Sequence, residues 1–180
     1  MGNEILIYLD LLNSQREAAF ASLDELTNAD LWQRSAPKEW SIGEILDHNY
    51  LLFASTYSVV RWTWKLNGWF GRLRRKRPYD TEIEDLYRNP NFPHWVGFLW
   101  TPRYNTRKPV SLNSLKTEIR TLHTKIRQFY ENKDIDMLGN SYLYDPWFGW
   151  CNLIVTLRIS IYHDQLHYDD VMKQAALLKK

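Results

Sequence analysis

Residues 111–130 read SLNSLKTEIRTLHTKIRQFY. Leu112, Leu115, Ile119, Leu122, Ile126 and Phe129 recur at steps of three and four without a miss, which is the spacing of one face of an α-helix. Ser111 stands where an N-cap belongs, its hydroxyl placed to accept from an otherwise unpaired first-turn N–H. Outward from this segment, proline marks the limits of similar ones, because it costs about 3 kcal/mol inside a helix. Residues 1–36, 38–77, 110–145 and 147–180 contain no proline, and five of the seven prolines fall between 78 and 109. The first block sets Ile5, Leu9, Leu12, Ala19, Leu23 and Leu26 on one helical face, and the second sets Ile45, Leu52 and Val59. The fourth sets Val155, Ile159, Val171 and Ala175, with Leu153, Leu157 and Ile161 beside them. Ser41 with Glu44 forms a capping box at the head of the second helix, and Trp40 and Ile45 flank it as a hydrophobic staple. Four amphipathic helices and no credible strand pair predict an all-α fold, an antiparallel four-helix bundle in a single domain over 1–180.

Between the second and third helices lies a linker, residues 68–110, far longer than an ordinary bundle connection. It starts with a basic run, Arg72, Arg74, Arg75, Lys76 and Arg77, and continues with Asp80, Glu82, Glu84 and Asp85. Its remainder, NPNFPHWVGFLWTPRYN (89–105), is aromatic and proline-rich, and is expected to fold over one end of the bundle.

Composition removes several classes. At 180 residues the chain is long enough to bury roughly 70% of the surface its unfolded form exposes. Its 44% hydrophobic and 24% charged residues are those of a globular protein. The longest stretch without a charged side chain, 89–102, contains Pro90, Pro93 and Pro102, which excludes a transmembrane helix. A net charge of +2 gives no global reason to expect nucleic acid or an anionic membrane as partner. Cys151 is alone, so no intrachain disulfide forms, as suits a reducing compartment. MGNEILIYLD lacks the basic region of a signal peptide, and Leu6 stands where a myristoylation signal wants Ser or Thr, so the expected location is cytoplasmic.

The fourth helix's inward ladder runs Val155, Ile159, His163, His167, Val171, Ala175. Two imidazoles four residues apart share a face and can reach one point, as a zinc ion requires. His48 lies between Ile45 and Leu52 on the inward face of the second helix. Each neutral imidazole keeps a polar nitrogen that is costly to bury unpaired. One metal would satisfy all three; alternatively each is a hydrogen-bonded core residue. HDQLH (163–167) is similar to the H-E-x-x-H of zinc proteases but has Asp164 in place of the catalytic Glu, so Asp164 is expected in solvent or as an acceptor behind a ligand. His94, in the linker, and His123, beside the third helix's apolar face, are expected to be structural or exposed.

EWSIGEILDHNYL (39–51) resembles the W-S-x-x-E-h-h-x-H-h signature of the DinB-like, or YfiT-like, superfamily, where h is hydrophobic. DPWFGWCNLIVTLRISIYHDQLHYDDV (145–171) is similar to that superfamily's last helix, in which a Pro-x-x-Gly-x-x-Asn approach leads to H-x-x-x-H. The proline- and basic-rich stretch before SLNSLKTEI (111–119) matches its long linker, so the resemblance covers nearly the whole chain. It implies a four-helix bundle in which His48, His163 and His167 bind a divalent cation, zinc, nickel or iron, and several relatives are homodimers. Some relatives transfer low-molecular-weight thiols such as bacillithiol, mycothiol or glutathione, and one isomerises maleylpyruvate. The resemblance therefore implies a small-molecule substrate, with no warrant for nucleic acid. One departure stands out: many members have His where this chain has Asp145.

Three protein ligands leave positions open for water or substrate, the mark of a catalytic and not a closed structural site. The sequence thus points to a metal-dependent thiol S-transferase or hydrolase, or to a non-catalytic metal- or ligand-binding bundle. No general base is evident. Glu44 is a candidate to orient His48, but the capping box already accounts for it. Lys65 and the basic run, interleaved with Trp62, Trp64 and Trp69, could contact phosphates or an acidic thiol; the simplest expectation is a solvated surface paired with Asp80–Asp85.

Overall fold

A computed structural model describes residues 3–37, 39–89 and 111–179. In chain order the helices are α1 (Asn3–Ala21), a short α2 (Asn28–Trp32), α3 (Ile42–Leu73), α4 (Leu112–Glu131), a short α5 (Ile135–Gly139) and α6 (Leu153–Leu178). Strands β1 (Tyr142–Asp145) and β2 (Gly149–Asn152) lie between α5 and α6. Side chains fix the helix starts. Ser41 Oγ accepts the Glu44 N–H at 3.3 Å, and Glu44 accepts the Ser41 N–H at 2.9 Å. Trp40 packs on the cluster containing Ile45, completing the staple. Ser111 caps α4, and Asn152 caps α6 by accepting from the Ile154 and Val155 N–H groups.

The long helices form the expected bundle, and their partners give its directions. Arg120 pairs with Glu17 and Arg127 with Asp10, so α4 runs antiparallel to α1. His48 meets His163 while Gln174 donates to the Trp40 carbonyl, so α6 runs antiparallel to α3. Across the two pairs the directions match: Tyr8 meets Arg158 and Gln15 meets Gln165, while Phe53 meets His123 and Trp64 meets Phe129. Setting α4 beside α3 in the same direction obliges the chain to travel back along the bundle, which is why the linker is long.

α3 continues to Leu73, so the linker starts six residues later than the apolar pattern suggests. Residues 80–82 are tied to α6 and α1. Asn152 Nδ2 donates to the Asp80 carbonyl at 2.6 Å, Arg158 pairs with Glu82 at 2.6 Å, and Thr81 donates to Glu4 at 2.9 Å. Residues 90–110, with His94 and the aromatic stretch expected over the bundle end, lie outside the described residues.

A strand pair, not expected from the sequence, is present. β1 and β2 form an antiparallel hairpin with Tyr142 opposite Asn152 and Asp145 opposite Gly149. The Asp145 carboxylate accepts from the Trp147 and Phe148 N–H groups at 2.8 and 3.0 Å, and Gly149 takes φ +74°, which suits a residue without Cβ. At Asp145 the chain thus has a turn-forming side chain.

The apolar interior falls into two large clusters and a small third one of Cys151, Val155 and Ile159. Of the two large ones, one gathers Leu9, Leu12, Phe53, Val60, Leu122, Ile126, Leu157 and Ile161. The other gathers Ala19, Phe20, Ile45, Leu46, Leu115, Ile119, Tyr168 and Val171. Between them along α1, α3 and α6 come buried polar residues: Arg16, His48, Asn49, His163 and Asp164, with His123 facing them from α4. A polar layer therefore crosses all four long helices.

Candidate metal centre

Helical register delivers the three histidines to that layer. His48 follows the capping box of α3 by one turn, and His163 and His167 are one turn apart on α6, the antiparallel neighbour. His48 Nε2 and His163 Nε2 are 3.2 Å apart. One nitrogen from each of the three rings lies within 4.8 Å of the others, and no other such cluster of His, Cys, Asp or Glu occurs among the described residues. His48 and His163 are buried, and His167 is half-buried.

The donors suit a divalent cation. Two nitrogens about 2.0–2.1 Å from one tetrahedral zinc stand about 3.4 Å apart, close to the separation found. The same separation would also serve a hydrogen bond, one Nε2–H donating to the other ring. His163 Nδ1, on the far side of its ring, is buried without a hydrogen-bond partner. Burial, and then the neighbouring His167 and His48, hold the His163 pKa well below its usual value, so the ring is neutral, as ligation requires.

Aromatic rings wall the centre. Trp40 lies 4.8 Å from the His48 ring and stacks at 6.4 Å on His167. On the other side Tyr87 meets His163 edge-on at 5.4 Å, backed by Phe148 at 5.9 Å. Burial pushes the Tyr87 hydroxyl above its ordinary pKa, with Asp145 next in effect, so it is a neutral wall and not a base. Sequence reasoning used Trp40 only as a staple and missed Tyr87 and Phe148. The linker and the hairpin bring those two in, and neither segment has a periodic pattern to reveal it.

Asp164 departs from one expectation: it is 0% exposed, so it is not solvated. Its oxygens lie 3.8 Å from His163 Nδ1 and 3.9 Å from His123 Nε2, beyond hydrogen-bond reach. Burial raises its carboxyl pKa well above the usual range against the pull of Tyr168 and Arg16. His123, buried as a structural residue would be, has its pKa lowered to about 3, first by burial and then by Arg16. A cleft of about 140 Å³ between α1 and α4, lined by Asn13, Arg16, His123 and Arg127 among others, reaches the layer from this side.

Glu44 takes the capping role, and Arg34 grips it bidentately at 2.8 and 2.5 Å. Cys151 is buried and its thiol is pushed up to about 11, chiefly by burial, which leaves it no thiolate at neutral pH. The basic run is exposed, as expected, but its expected pairing with Asp80–Asp85 is not found among the described residues. Glu82 pairs with Arg158, Asp85 with Arg88, and Arg75 with Asp134.

A family model described as the DinB superfamily matches residues 11–171, most of the chain, and the chain belongs to that superfamily. No curated protein and no solved structure matches it.

Proposed function

We propose that this DinB-superfamily protein binds one divalent cation through His48, His163 and His167 and acts on a small electrophilic molecule, by thiol transfer or by hydrolysis. The convergence of three imidazoles in a buried layer, where an unpaired ring nitrogen is costly, supports the reading. Zinc, nickel and iron all suit imidazole ligands. A cation there supplies a Lewis acid and brings the acidity of a water or thiol toward neutrality. The chain's own groups do the rest. Burial keeps the His163 ring neutral, Trp40 and Tyr87 exclude water from two sides, and half-buried His167 marks the open side. With Cys151 held protonated, the thiol in a transfer reaction comes from a low-molecular-weight cosubstrate.

Elemental analysis after growth with zinc, nickel and iron supplied tests the centre. The parent is expected to carry near-stoichiometric metal that His48→Ala and His163→Ala lose while keeping their helical circular dichroism. Unchanged metal in both variants, or none in the parent, overturns the reading. A second reading has its own support: the centre joins α3 to α6 between the two apolar clusters, so the cation would serve chiefly to fasten the fold. A screen of thiols with electrophiles, and of esters, separates the two. Turnover lost on chelation marks an enzyme; a melting point lowered by chelation with no turnover marks a fastener.

A further inference from the structure

A net charge of +2 conceals a strong segregation. Residues 48–79 contain seven Lys and Arg and no Asp or Glu, leaving the rest of the chain at −5. This stretch is most of α3 and the turn after it. Its outward face is apolar: Val59, Trp62, Leu66, Trp69, Phe70 and Leu73 are 43–73% exposed. At 3.6 residues per turn these six fall within an arc of about 100°. Arg61, Lys65 and Arg72 line one edge of that arc, and Lys65 rests its ammonium 5.2 Å over the Trp62 ring. Beyond the helix end, Arg74, Lys76 and Arg77 are exposed and, among the described residues, form no salt bridge. A face this apolar on a folded chain marks an interaction surface.

We propose that the C-terminal half of α3 docks this protein on the surface of an anionic bilayer. The apolar arc lies between the headgroups, and Arg61, Lys65, Arg72, Arg74, Lys76 and Arg77 contact lipid phosphates. Charge and composition choose this occupant. Exposed Trp, Leu and Phe beside a Lys/Arg edge are the pattern of helices that lie in the membrane interface. A second copy would bring the same positive excess to the contact. Nucleic acid would call for basic side chains at the centre of the face, where Val59, Leu66 and Leu73 instead offer aliphatic surface. No described helix is long and apolar enough to cross a membrane, so the association is peripheral.

Flotation of the whole protein with vesicles of equal parts phosphatidylcholine and phosphatidylglycerol, against vesicles of phosphatidylcholine alone, tests the proposal. The parent is expected to float with the mixed vesicles, and added salt to weaken the association. Each charge removed in Arg74→Gln and Lys76→Gln lowers partitioning about fivefold. Trp62→Ser with Trp69→Ser lowers it by about tenfold or more. All four side chains are exposed, so the fold is kept, with circular dichroism as the control. Equal binding to both vesicle types, or no binding, overturns the proposal. So does a loss with the charge variants that the tryptophan variants do not share, or tighter binding to duplex DNA than to vesicles. A parent dimer that ignores vesicles, and that Trp62→Ser with Trp69→Ser dissociates, assigns the face to a second copy and also overturns it.

Discussion

His123 carries its imidazole into the polar layer with Nδ1 unpartnered and its pKa lowered to about 3 by burial. The unfolded chain accepts a proton near pH 6.5, and the folded His123 refuses it until about pH 3. The unfolded state thus binds more protons within that window, and stability falls as pH drops through it, by about 3 kcal/mol at pH 4 from this residue alone. Urea midpoints at pH 7 and pH 4 should therefore fall less in His123→Leu than in the parent; equal losses would show that His123 does not titrate this way. At this scale the histidine triad was legible, because helical periodicity turns spacing into direction. Asp164 was not. It sits about 100° around α6 from His163, where a surface helix would face water, but α6 is buried on that flank too, against Arg16 and His123.

Among the elements, α3 depends on its start and on one close approach. Glu44→Ala would strip the Ser41 N–H of its acceptor and release Arg34, costing about 2 kcal/mol by denaturant titration. Metal content should not change, since Glu44 acts on the cap. If the metal is lost from a folded variant, Glu44 orients His48 after all. Further along, a Cβ at Gly71 would stand 2.6 Å from the Met137 carbonyl oxygen of α5. Backbone cannot swing aside like a side chain, so Gly71→Ala should cost about 1–3 kcal/mol and lower the melting temperature. The caps and stripes of the long helices could be read in advance because they repeat or follow motifs. The hairpin could not: its two four-residue strands are too short to show alternation, and an Asx turn at Asp145 with one glycine φ defines it.

For the molecule as a whole, the number of long helices followed from the proline-free blocks, whereas their directions depended on where the linker returns, and the short α2 and α5 were not expected. Arg158 fastens the described part of that linker through Glu82 and the Thr81 carbonyl. Arg158→Met should leave the bundle folded and let trypsin cut after Arg88 several-fold faster; an unchanged digestion pattern would mean that other contacts hold the segment. The polar layer has a larger consequence. It separates the two large apolar clusters, with half-buried Tyr50 packed against both, so the bundle should behave as two half-cores in series, each opening largely on its own. Hydrogen–deuterium exchange should then resolve two levels of amide protection along α6, one around Leu157 and one around Val171. A cation gripping α3 and α6 between them would link the halves, and the two levels should merge when zinc is added. The length of chain that breathes as one unit would then be set by an ion.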